Sequence, residues 1–366
     1  MIVSKTRSPR KINFLILCLL CLQVAHAQLV VLDVNNHPIS QVEVISGNRR
    51  FYAQTNHLGQ IPQEKLEKLQ IHDTLVFKHY FYEALEIPWH ELDSRDSIRL
   101  VERVFEFEEV SIGAGQKEPK YERLKVCYRG YQYNDDSLSY YKDGKADYVS
   151  KIKKDKYRRY TKEYRSFSNE KLVAEVPQHN VGVYYGANVP YPPFRYLPFN
   201  YGDRNQLIYQ VVDSLKVLIL NQDSLHVGYY ERMGEIVKWV ISDLNYVRSY
   251  KLFNSEINRL RSEITLVFRY TEGMNVPAIG NFENLLYYKS VRELNTKHDK
   301  DKEFINILQI EEFYLEGVDY LHDFDKKNYG VVMKSDYLPV KEFWKTCGCI
   351  YYQAPSIYLW QNLQPE

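Results

Sequence analysis

Apolar and polar positions alternate with a period of two along most of the chain, the spacing of half-buried strands rather than of helices. Val30, Leu32 and Val34 alternate with Val31 and Asp33, and the turn-forming run Asn35-Asn36-His37-Pro38 follows. Val42 and Val44 resume the period, Gly47-Asn48 marks a reversal, and residues 51–55 lead into Asn56-His57-Leu58-Gly59, where an Asx residue and a glycine fit a tight turn. Leu75, Phe77, His79 and Phe81 fall on one face of the next strand, with Val76, Lys78 and Tyr80 on the other. Residues 98–100 and 109–112 complete the set, and short strands at this spacing predict a small β-sandwich over residues 28–112.

Residues 113–120, with Gly113, Gly115, Lys117, Glu118 and Pro119, break the periodicity and read as a linker. Beyond it, residues 124–133, 137–142, 145–152 and 156–167 read as strands. The dividers are Asn134-Asp135-Asp136, Asp143-Gly144 and Lys153-Lys154-Asp155, all turn signals. Ile208, Val211, Val212, Leu215 and Leu218 fit helical spacing and predict one helix over 204–218. Strands return at 225–230, 235–241, 263–271 and 307–320, and the polar stretch 295–303 reads as a solvated loop. The fold class is therefore mainly β: an amino-terminal sandwich followed by a larger antiparallel β-rich domain, 121–366, with few helices.

Composition sharpens this picture at three points. Lys and Arg number 48 against 47 Asp and Glu, a net charge of +1, which excludes a polyanion-wrapping tail and an acidic disordered chain. The 33 Tyr and 16 Phe suit half-buried pleated surfaces. At the amino terminus, Lys5, Arg7, Arg10 and Lys11 precede an apolar run from Phe14 to Leu22 and the small-x-small site Ala25-His26-Ala27, the pattern of a secretory signal peptide over 1–27. The mature chain is then expected to be exported, in the periplasm or associated with the outer membrane, and to have no transmembrane helix. Cys18 and Cys21 follow Leu17 and Leu20, where lipidation would need a small residue. Export leaves Cys127, Cys347 and Cys349, an odd number. A disulfide from Cys127 to Cys347 or Cys349 closes a long loop with less strain than a Cys347–Cys349 ring; free buried thiols are the alternative, and zinc would lack a tetrahedral ligand set.

The residues of the first region carry a resemblance: Asp33, Pro38-Ile39, Val42-x-Val44, Thr55-Asn56-x-x-Gly59-x-Ile61, Asp73-x-Leu75-x-Phe77, Phe81-Tyr82 and Glu108-Glu109-Val110-Ser111-Ile112. Residues 28–112 resemble the carboxypeptidase regulatory-like domain, a transthyretin-like seven-stranded sandwich common in Bacteroidetes envelope proteins and often placed ahead of TonB-dependent receptors. Asn56 stands where that family usually has Asp, and both side chains make the same Asx turn. The resemblance implies a docking or structural module rather than catalysis. Residues 121–366 are too few for the barrel of the receptor class and lack its lipid-facing apolar band.

Candidate chemistry is sparse. A carboxypeptidase zinc site needs His-x-x-Glu, which is absent; His90-x-x-Asp93, His298-x-x-Asp301 and His322-x-x-Asp325 are the nearest spacings. Glu311 and Glu312 are adjacent, so on a strand they point to opposite faces and cannot flank one glycosidic bond; they read as edge or solvent-face charges. Residues 145–165 hold nine basic against three acidic residues, and Lys153, Lys154, Lys156, Arg158 and Arg159 are candidates for contact with an anionic surface or for charge protection of an edge. Tyr191, Phe194, Tyr196 and Phe199, set among Pro190, Pro192, Pro193 and Pro198, form either a binding surface or a loop that packs on its own sheet. No cofactor, metal or nucleic acid is called for. The expected function is a non-enzymatic envelope protein whose sandwich docks or spaces a β-rich binding domain, with an envelope protein, glycan or lipid as partner. A carrier or chaperone of lipid or outer-membrane components and a hydrolase with a dispersed site are the alternatives.

Overall fold

The computed structural model describes residues 29–46, 52–70, 72–92, 95–103, 118–152, 157–171, 186–191, 207–213, 215–242, 248–270, 284–325, 347 and 363–365. The expected signal peptide, the expected strand 109–112 and most of the expected linker lie outside them. The chain forms two compact units, Met1–Val104 and Phe105–Glu366. Among the described residues, no helix is long and apolar enough to cross a membrane.

In the first unit, β1 (Val30–Leu32) pairs in parallel with β6 (Ser97–Arg99). A second, antiparallel sheet has the order β3 (Tyr52–Gln54), β2 (Glu43–Ser46), β4 (Thr74–His79), β5 (Tyr82–Pro88). Two single-turn helices, α1 (Gln63–Leu66) and α2 (Trp89–Leu92), complete it. The buried side chains come from both sheets: Val31 and Ile98 from one, Val44, Leu75 and Phe77 from the other. The polar residues that carry the family resemblance satisfy backbone groups at the turns. Asp33 accepts from the N–H of Asn35 and His37 at 2.8 and 2.7 Å. Thr55 Oγ1 accepts from Val42 N and donates to Ile39 O. Asn56 Oδ1 accepts from Leu58 N and Gln60 N at 2.9 and 3.0 Å, the expected Asx turn. Gly59 follows at φ +71°, where a Cβ would also lie 2.5 Å from Val31 O.

The second unit is one antiparallel sheet. Its strands are β7 (Tyr121–Asn134), β8 (Ser137–Lys151), β9 (Tyr157–Ser168), β10 (Ile208–Val211), β11 (Lys216–Leu220), β12 (His226–Met233), β13 (Ile236–Ser242), β14 (Arg248–Leu252), β15 (Ser255–Arg269), β16 (Leu285–His298), β17 (Ile305–Leu321) and β18 (Gln364–Pro365). The order is β10-β11-β12-β13-β15-β16-β17-β7-β8-β9-β18, with β14 beside β15. Most neighbours in the run are consecutive in sequence; the exceptions among the described strands are β13 beside β15, β18 beside β9, and β17, nearly the last strand in sequence, which closes back onto β7, the first.

Three expectations are corrected. The helix over 204–218 is instead the hairpin β10–β11, because the run is β-branched and Asp213 Oδ1 accepts from Leu215 N and Lys216 N, fixing a turn in its middle. Asp143-Gly144 is no turn: β8 runs straight through it. The loop over 295–303 begins late, since β16 continues to His298 with Asn295 paired to Asn306 and hydrogen-bonded to Asn258 at 2.8 Å.

Candidate functional site

Residues that stand directly opposite across antiparallel strands share a face, so the register defines what each face of this sheet carries. On one face, Trp239, Leu266, Tyr288, Phe313 and Tyr128 are in register across β13, β15, β16, β17 and β7. The row extends through Tyr230 and Val217 at one end and Gly144 and Tyr164 at the other. These residues belong to one buried apolar cluster, or pack against it, together with Val126, Tyr148 and Val237; Gly144 supplies only space. Gly144 is needed there because a Cβ would meet the Glu163 carbonyl of β9 and come within 2.8 Å of Tyr128 Oη. Burial raises the Tyr157 phenol pKa, and Tyr191 and Tyr288 add to the rise. One buried cluster draws residues from β8, β7, β17, β16, β15, β13, β12 and β11 of a single sheet, so this face is concave. The rings of Tyr148 on β8 and Phe313 on β17, 5.6 Å apart over an intervening strand, report the same curvature.

The opposite face carries a ladder of alternating charge. Arg165, Asp143, Arg129, Glu312 and Lys289 are in register across β9, β8, β7, β17 and β16. Arg165 grips both oxygens of Asp143 at 2.7 Å, and Tyr141 donates to the same carboxylate at 2.7 Å. Arg129 Nη2 meets Glu312 Oε1 at 2.6 Å and donates to Tyr314 Oη; Tyr287 Oη donates to Glu312 Oε2 at 2.6 Å. Burial works against the charge of Arg129, but Glu312 and the phenols of Tyr131, Tyr314 and Tyr141 hold its pKa well above the ordinary arginine value. Three strands along, Lys238 pairs with Glu231 at 3.1 Å; burial pushes that carboxyl up, and Lys238 and Lys216 more than reverse it.

Glu311 and Glu312 are thus not edge or solvent-face charges. Both are buried, Glu311 on the concave-side face against Arg292 at 2.7 Å and Glu312 in the ladder. Neither carboxylate is available as an acid or base without breaking an ion pair. His298 and Asp301 are turn partners, with His298 N donating to Asp301 Oδ2 at 2.9 Å.

The disulfide runs from Cys127 to Cys347, with Cα atoms 6.3 Å apart, and pins Cys347 to the ladder face. The Glu316 carboxylate lies within 4.8 Å of both sulfurs, but it pairs with Lys145 at 3.0 Å and the bonded sulfurs are no thiolates. Cys349 lies outside the described residues.

Residues 186–191, where the proline- and tyrosine-rich segment starts, cross the concave face as a strap. Gly186 N donates to Gln132 Oε1 at 3.0 Å, and Asn188 lies where a Cβ on Gly130 would stand. Tyr148 Oη donates to Pro190 O at 2.6 Å and Arg159 Nη1 to Val189 O at 2.6 Å, while Val189 packs against the apolar cluster. Tyr191 is 63% exposed, yet its ring lies 5.1 Å from Tyr157 with the Arg159 guanidinium 5.6 Å above it. The structure therefore brings together Tyr191, a candidate of the aromatic loop, and Arg159, a candidate of the basic band. It parts two others: Arg158 and Arg159 are neighbours on β9 and face opposite ways, so no flat anionic surface meets both alike. Phe194, Tyr196, Phe199, Lys153, Lys154 and Lys156 lie outside the described residues.

No protein-family model matches the chain, and no curated protein matches it. The rows themselves escaped sequence reasoning. Their members come from stretches as distant as those holding Tyr128 and Phe313 or Arg129 and Glu312, and only pairing register brings them level.

Proposed function

We propose that the protein is a non-enzymatic, exported envelope protein in which a carboxypeptidase regulatory-like sandwich docks or spaces a larger β-rich unit that binds a ligand or partner. The observation that carries this reading is the charge ladder. The ionisable groups of Arg165, Asp143, Arg129 and Glu312, the last three buried, neutralise one another along a single row, an arrangement suited to holding a sheet rigid and poorly suited to proton transfer. The concave row opposite is aromatic and aliphatic, the usual lining of a binding surface. In the first unit, Asp33, Thr55 and Asn56 are occupied with turn backbone, which fits a module that presents a surface rather than a reaction. The signal-like first 27 residues support export.

The test is a screen of the mature chain against peptide, ester and glycoside substrates alongside thermal-shift assays with envelope glycans and lipids. Ligand-induced stabilisation without turnover is expected. Turnover abolished by one point substitution would overturn the reading.

A further inference from the structure

Tyr128 and Trp239 stand at the two ends of the in-register row Trp239–Leu266–Tyr288–Phe313–Tyr128, and both are almost wholly buried in the apolar cluster of the concave face. Tyr128 Oη and Trp239 Nε1 have no hydrogen-bond partner there. Buried polar atoms are nearly always paired, because leaving one unpaired forfeits its bond to water, and two on one row call for an explanation. Indole N–H is a donor only, and a phenol with a raised pKa stays protonated and donates. The missing partner therefore supplies acceptors. Between the two donors the row offers only Leu266, Tyr288 and Phe313, with Tyr288 and Phe313 stacked 5.3 Å apart. Such a lining takes an apolar body.

We propose that the concave face binds a long acyl chain ending in a carboxylate or ester group, whose oxygens accept from Tyr128 or Trp239. The proposal deepens the binding-protein reading and rests on it. The strap Gly186–Tyr191 is what the ligand displaces. Its Val189 side chain packs on the same cluster, and its hold on the sheet is by hydrogen bonds from Tyr148 and Arg159 and to Gln132, which water can replace when the strap lifts.

The full mature chain is titrated with oleate and, in a second arm, with monoolein, each read by displacement of a fluorescent fatty acid. Saturable binding is expected in at least one arm, and the arm that binds tells carboxylate from ester. Of Tyr128→Phe and Trp239→Phe, the one that removes the donor to the head group should weaken it by roughly five- to tenfold for a lost hydrogen bond, and unchanged affinity in both would overturn the proposal. Tyr148→Phe, which loosens the strap, should strengthen it. Removing an unpaired hydroxyl leaves no stranded partner, so the melting temperature of Tyr128→Phe should hold or rise. A fall in melting temperature with lipid affinity unchanged means that the hydroxyl serves folding through bound water, and overturns the proposal. So does the absence of saturable binding in both arms. If that absence comes with no turnover and with stabilisation by another envelope ligand, the acyl class fails and the binding-protein reading stands; turnover of ester substrates fells that reading instead.

Discussion

Arg129 on β7 and Glu312 on β17 face each other 2.6 Å apart in the middle of a sheet that excludes water from both. Their chain positions differ by half the length of the protein, and the contact exists because β17 folds back to pair with the first strand of its own meander. Removing one partner strands the other in a medium where an unpaired charge is poorly tolerated. Glu312→Gln should therefore destabilise the second unit by about 3–5 kcal/mol, measured by denaturant unfolding. Replacing both residues by apolar ones of similar volume should be milder than the single change, since no lone charge remains. Equal losses in the two variants would mean that packing, not charge, is what the pair supplies.

The Cys127–Cys347 bond closes a loop of 220 residues in sequence and ties Cys347 to the ladder face. Cys127→Ser should lower stability by about 2–4 kcal/mol, the usual range for a native disulfide. Non-reducing peptide maps should show the fragments holding Cys127 and Cys347 joined. Recovery of both as free thiols from exported material would remove this prediction.

Glu231 gives a pH dependence with a definite sign. Its folded pKa lies below the ordinary 4.5, because Lys238 and Lys216 outweigh the upward push of burial. A depressed carboxylate contributes stability that is fully present above about pH 4.5 and is lost as pH falls through the folded value. Asp319, held down by Arg123 and Lys125 against burial, acts in the same direction below its ordinary 3.8. In Glu231→Gln the gap to the parent protein should be widest near neutrality and shrink on acidification through this window. A gap that is constant with pH would show that the carboxylate's charge is not what matters.

The strap separates two tyrosines by role. Tyr191 is mostly exposed, so Tyr191→Ala should shift stability by no more than about 0.5 kcal/mol. Tyr148 is buried and holds Pro190 O, so Tyr148→Phe should cost about 1 kcal/mol. Melting curves of the two variants decide the matter, and a larger loss for Tyr191→Ala would mean that its stacking on Tyr157 seals the domain.

The sequence by itself determined that the chain is β-rich, because a period of two is a local property and needs only neighbouring residues to be read. It also determined the turn at Asn56–Gly59, where an Asx side chain and a glycine at φ +71° act within a few residues of each other. Helical spacing at 208–218 was misleading for a local reason as well: the same apolar positions suit a hairpin once Asp213 caps the turn. What only the tertiary structure decided is anything that depends on register. Asp143-Gly144 has the composition of a turn, yet the glycine is there to let β9 and the Tyr128 hydroxyl approach, and the aspartate to answer Arg165. Glu312 looks like a surface charge until β7 sets Arg129 beside it. Register across a sheet is fixed by long-range pairing, and a shift of one residue exchanges the two faces, so neither the aromatic row nor the charge ladder has a signature in any local stretch of the chain.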